Sequence, residues 1–221
     1  MSSNTEFAIA EVMPGKLNAM VKNIMSQVGV TDPNEAVRLI NSGERVVVEP
    51  SALNKCWMRA GNLLIVNLPA APSLPFKGAT VEQHIGDGVA FIEPRPDGLW
   101  MSIGGTMSFR KIVLHLSERQ MNGKYLKGYK LREELSGKPV LNANVLDALA
   151  ENIDLIPEDW KRDEKGNIRF IFFWGTIYRN PDTDYLYVRY LYFNDGTWLR
   201  DYGWLDLDWL ALDPAALLAS N

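Results

Sequence analysis

Between Asn167 and Asp213 the chain reads NIRFIFFWGTIYRNPDTDYLYVRYLYFNDGTWLRDYGWLDLDWLALD, and 14 aromatic residues fall there, out of 8 Phe, 8 Tyr and 7 Trp in 221 residues. No other feature constrains the fold as much. Aromatic and β-branched residues suit a pleated, half-buried surface, and here they come in runs parted by turn formers, the pattern of an antiparallel meander. Ile168 to Trp174 puts Ile168, Phe170, Phe172 and Trp174 on one face and Arg169, Ile171 and Phe173 on the other. Both faces are largely apolar, which predicts a central strand. After a turn at Arg179-Asn180-Pro181-Asp182, Leu186, Val188, Tyr190 and Tyr192 alternate with Tyr187, Arg189, Leu191 and Phe193, and Asn194-Asp195-Gly196 has the composition of a tight hairpin turn. Phe170, Phe172, Trp174, Val188 and Tyr190 are expected in the core. From Thr197 to Leu212 the strand period weakens and turn formers increase, which predicts exposed loops framed by Trp198, Trp204 and Trp209.

The preceding chain alternates helix and strand signals. Leu17, Val21, Ile24 and Val28 share one face of a helix within Pro14 to Gly29, and a second helix follows from Asp32 to Gly43, giving a helical hairpin ahead of a strand at Glu44 to Glu49. Leu63 to Leu68 is an apolar run, and Pro69, Pro72 and Pro75 then impose an extended loop where mobility is expected. Val89 to Glu93 and Leu99 to Ile103 read as a hairpin, with Lys111 to Leu116 as a third strand. Arg119 to Lys138 holds six basic residues against Glu133 and Glu134, with Gly123, Gly128 and Gly137, and reads as a solvated connector. Asn142 then caps a helix running to Glu151, whose Val145, Leu146 and Leu149 face the core.

A formal charge of -4 argues against nucleic acid as a partner, because phosphate neutralisation needs a clustered excess of Lys and Arg. The single cysteine, Cys56, excludes an intramolecular disulfide and a multi-cysteine metal site and fits a reducing compartment. No run approaches the length of a membrane span, and the first residues lack the basic and apolar regions of a signal peptide, so a soluble, cytoplasmic protein is expected. No phosphate-binding loop, nucleophile elbow or zinc-ligand spacing is present. His84 and His115 read as locally satisfied residues. Asp201, Asp206, Asp208 and Asp213 could offer oxygen ligands to a hard cation, yet no calcium-loop spacing accompanies them, and they read as loop carboxylates. Neither a metal nor another cofactor is expected.

The segment IFFWGTIYRNPDTDYLYVRYLYFNDGTWLRDYGWLDLDWLALDPAALLAS resembles a group of uncharacterised proteins from candidate-phylum bacteria that are similar to the variable proteins of diversity-generating retroelements. In such systems error-prone copying at adenines diversifies AAY-type codons near the 3′ end of a gene, and the target domain is usually C-type-lectin-like. The resemblance implies that Trp198, Trp204 and Trp209, whose codon lacks adenine, persist as scaffold. It implies equally that Asn194, Asp195, Arg200, Asp201, Tyr202, Asp206, Asp208, Leu210 and Asp213 form a variable ligand-binding surface. The G-G-S-W and G-F-R landmarks of lectin-like variable domains are missing, and the first 120 residues gain nothing from the resemblance.

Together these readings predict an α+β protein: an α+β region over 1–118, the basic connector at 119–138, and a β-rich ligand-binding domain over 139–221. The expected function is non-enzymatic recognition of a protein or glycan. The rivals are a hydrolase using the C-terminal Asp cluster and an oligomeric assembly component with its aromatic sheet buried between copies.

Overall fold

The computed structural model describes residues 56–104 and 108–220; the expected helices between Pro14 and Gly43 and the strand at Glu44 to Glu49 lie outside them. The described residues belong to one compact unit, mostly β, with helices α1 (Gly128–Leu135) and α2 (Ala143–Ala150). Its strands are β1 (Trp57–Ala60), β2 (Leu63–Asn67), β3 (Thr80–His84), β4 (Val89–Arg95), β5 (Gly98–Ile103), β6 (Arg110–His115), β7 (Leu126–Lys127), β8 (Phe170–Phe172), β9 (Thr176–Arg179), β10 (Leu186–Asn194), β11 (Thr197–Trp204), β12 (Asp208–Trp209) and β13 (Ala215–Leu218). An 11-stranded sheet runs in the order β1-β2-β4-β5-β6-β13-β8-β10-β9-β3, with β11 on the remaining edge of β10, and β7 and β12 form a separate ribbon.

The two-faced apolar pattern of β8 and β10 has its reason in the layers. Ile171, Phe173 and Leu191 pack with Val145, Leu146 and Leu149 of α2 and with Trp160 and Trp198 in one core. Phe172, Trp174 and Val188 pack with Leu131 and Leu135 of α1 and with Trp209 in the other, flanked by Phe170 and Tyr190. With helices on both sides, the strands between them have no solvent face to make polar. The expected single strand from Ile168 to Trp174 is interrupted: β10 pairs with β8 through Tyr190 to Tyr192 and with β9 through Leu186 and Tyr187. The break admits the start of α2. A Cβ on Gly175 would lie 2.9 Å from the Cα, Cβ and N of Asn142, so only glycine permits this approach. Asn142 caps the helix as expected, accepting from the backbone N–H of Asn144 and Val145.

Three expectations are corrected. Thr197 to Trp204 is a full strand, paired with β10 from Asn194↔Thr197 to Tyr187↔Trp204 through a two-residue turn whose Asp195 and Gly196 both have positive φ, as a type I′ hairpin requires. Its period is hidden because exposed Arg200 and Tyr202 follow buried Trp198 on one face, while on the other Gly203 lies against the Phe172 ring. Residues 119–138 are neither a solvated connector nor a boundary. β6 pairs with β13 and β3 with β9, so strands from before and after this segment share one sheet. The segment itself docks. Lys127 binds Asp208 at 2.8 Å, buried Gln120 donates to the carbonyls of Leu210 and Asp213, and a Cβ on Gly128 would sit 2.4 Å from the Leu205 carbonyl oxygen. The proline loop, finally, is pinned by Ser73, as described next.

Candidate functional site

Asp147 is the one charged residue among the buried residues of α2, and Arg189 is the one charged residue of β10. These two exceptions meet. Arg189 donates from Nη2 to Asp147 Oδ1 at 2.7 Å and from Nη1 to Oδ2 at 2.9 Å, a bidentate pair in which each side chain is only 7% exposed. Ser73 from the proline loop donates its hydroxyl to Asp147 Oδ2 and accepts from Arg189 Nη1. Tyr178 donates to the Ser73 carbonyl at 2.9 Å, and burial pushes its phenol up to about 12. From β11, Arg200 adds a second guanidinium to Asp147 Oδ1 at 3.0 Å while its side chain stays 48% exposed. Two guanidiniums thus share one carboxylate, which is how buried charge is tolerated: paired, with its lone pairs filled.

Above this knot opens a cavity of about 540 Å³, lined by Cys56, Trp57, Ser73 to Pro75, Asp147, Glu151, Arg189 and Arg200 to Tyr202. Its volume is that of a small-molecule or side-chain site. Burial, and then the charge of Asp147, push the Cys56 thiol up, which leaves it protonated and poorly nucleophilic. The Ser73 hydroxyl is held between Asp147 and Arg189. The exposed charged members of the wall are Glu151, Arg200 and Asp201.

A second polar cluster lies where α2 enters the sheet. His84 Nε2 donates to the Leu68 carbonyl at 2.8 Å, and Nδ1 is hydrogen-bonded to the Thr176 hydroxyl at 2.7 Å. Asn142 and Asn144 donate to the carbonyls of Leu68, Ile85, Asn67 and Ala70. Both ring nitrogens are engaged, and the cluster clips the proline loop to the helix.

The structure divides the nine recognition residues read from sequence. Arg200, Asp201 and Tyr202 line the cavity; the Tyr202 ring packs 5.2 Å from Phe76 and 5.5 Å from Tyr187. Asn194 and Asp195 bond each other at the hairpin turn. Asp206 and Asp208 are exposed beside Lys127, and Leu210 is 45% exposed. Asp213 turns inward and accepts from the Leu210 N–H at 2.7 Å. The four aspartates do not converge, and among the described residues no group of three His, Cys, Asp or Glu is placed to hold a metal. Of the tryptophans, Trp198 and Trp209 are buried and Trp204 is half-buried. Ser73, Asp147 and Arg189 were not singled out in sequence; the signal for the last two was a charge of each sign at an otherwise apolar position.

Burial pushes the Asp213 carboxyl up to about 6, from the ordinary value of about 3.9. The folded state therefore holds this proton more tightly than the unfolded chain, and its stabilising contribution is complete below pH ~4 and lost as pH rises through about 6. Asp213→Asn keeps an acceptor for Leu210. It is expected to gain on the order of 2–3 kcal/mol over the native chain at pH 8 compared with pH 3.5, read from urea melts at both.

No helix among the described residues is long and apolar enough to cross a membrane. Comparison of the chain with protein-family models, with curated proteins and with solved structures finds no match.

Proposed function

We propose that this is a non-enzymatic ligand-binding protein whose recognition surface is built on β11 and the loop that follows it. The observation that carries the reading is the separation of roles between Trp198 and Asp213. Trp198 is 8% and Trp209 2% exposed, while Tyr202 at 38%, Leu207 at 51% and Leu210 at 45% stand outward with Arg200, Asp201, Asp206 and Asp208 among them. Buried aromatics hold the backbone, so interposed side chains are free to differ without disturbing the core. Exposed Tyr and Leu provide contact area and the Asp and Arg groups provide discrimination, which suits a protein or glycan partner.

This arrangement is what a variable protein of a diversity-generating retroelement needs, and the proposal extends to that class and to its C-type-lectin-like target domain. The free Cys56 suits a reducing compartment, and the cytoplasm is the location proposed. Deep sequencing of the 3′ end of the gene across a natural population tests the diversified surface. Substitutions are expected to cluster at adenine-bearing codons from Asn194 to Asp213 with the three tryptophan codons constant; a segment as uniform as the rest of the gene would sink it. On a glycan array and a panel of displayed proteins, Asp206→Ala and Leu207→Ala are expected to lose the native signal while stability stays within about 0.5 kcal/mol. Tyr202→Ala is expected to lose the same signal and about 1 kcal/mol with its two ring contacts.

A further inference from the structure

A second cavity, of about 490 Å³, lies between the end of α1 and the tail of β3. Gln83, Arg132, Ser136, Lys138, Val140 and Trp174 are among its lining residues. Its polar groups are donors in excess. Arg132 spends one N–H on Gln83 Oε1 at 3.2 Å, and neither its guanidinium nor the Lys138 ammonium has an ion-pair partner among the described residues. Glu133, the carboxylate that lines the cavity, is already engaged by Lys130 at 2.9 Å. Trp174 is 2% exposed, and its indole N–H has no hydrogen-bond partner among the described residues. Two cations without an ion-pair partner on the wall of one cavity ask for negative charge. Leu135, Ile85 and the Tyr129 ring supply the rest of the wall.

We propose that this cavity binds a small organic anion, a carboxylate or phosphate head group on an apolar body, with Arg132 and Lys138 holding the charge and the Trp174 side chain forming part of the wall that reports its arrival. The site is separate from the recognition surface on β11, so the two stand or fall independently. Arginine offers a planar fork and lysine a point charge, and both suit an oxyanion.

The test is titration of the full chain with phenylacetate, phenyl phosphate, inorganic phosphate and neutral phenylacetamide, following the Trp174 indole N–H resonance. A saturable shift with an anion and none with phenylacetamide is expected, and the tightest anion identifies the head group. Lys138→Gln and Arg132→Gln are each expected to weaken binding about tenfold or more, as loss of a charge-assisted bond implies, and 0.5 M salt is expected to weaken it further. Lys138 is exposed, so its variant keeps the fold and carries the test if Arg132→Gln melts early. Equal response to phenylacetamide, no response to any anion at tens of millimolar, or native affinity in Lys138→Gln would overturn the proposal.

Discussion

Alanine at Asp147 is expected to lower the unfolding free energy by about 3–5 kcal/mol, because it leaves Arg189 buried without its counter-charge. The residual guanidinium would keep the Ser73 hydroxyl as an acceptor at 2.8 Å, and the ion pair's own attraction is not the main loss. The cost comes from an uncompensated charge in a site 7% exposed. Arg189→Ala is expected to fall in the same range for the mirror-image reason. The double variant Asp147→Leu with Arg189→Met, which removes both charges and keeps volume, is expected to recover most of the loss, since apolar replacements of buried pairs are often neutral or better. Urea midpoints for Asp147→Leu, Arg189→Met and their double form a thermodynamic cycle that checks this. A double variant as unstable as the singles would mean that Asp147 acts mainly by tying the proline loop and Arg200 to α2.

The second large effect belongs to Trp209. Its ring lies 4.1 Å from Phe172 and 4.8 Å from Trp174, centroid to centroid, and β12 pairs its backbone with Leu126 of β7. Trp209→Ala removes the piece that joins the sheet to the segment before α1, and is expected to cost about 3–5 kcal/mol, as truncation of a large buried ring does. Leu210→Ala, one residue on and 45% exposed, is expected to stay within about 0.5 kcal/mol. Guanidinium melts of the two neighbours measure the contrast. Equal losses would mean that the loop is held as a unit and has little freedom to vary.

Much of the meander was legible because its signals are local. The alternation through Ile171, Phe172 and Phe173 places those side chains on the faces they occupy, Asp195-Gly196 makes the hairpin turn, and Asn142 caps α2. What could not be read was pairing over distance. β3 meets β9 about a hundred residues later in the chain, and Ala215 to Leu218 gives no strand period yet fills a central position between β6 and β8. Residues 119–138 were misjudged for a related reason: a run of Lys and Arg looks solvated until the carboxylate facing it, Asp208 for Lys127, is known. Arg189 and Asp147 were visible as exceptions to their patterns. The donors around Trp174 were not, since nothing in the sequence brings Lys138 and Trp174 together.

The place of β13 has a consequence for synthesis. It joins β6 to β8 although it follows both in the chain. β1 to β6 and the β8 to β11 meander are all made before the short stretch that zips them together. Until Ala215 to Leu218 emerge, β6 and β8 both wait with open edges, the condition under which strands pair with the wrong partner. Closure of the sheet is thus tied to the last of its strands to be made, and a nascent chain stalled before Ala215 would be the species most in need of a chaperone.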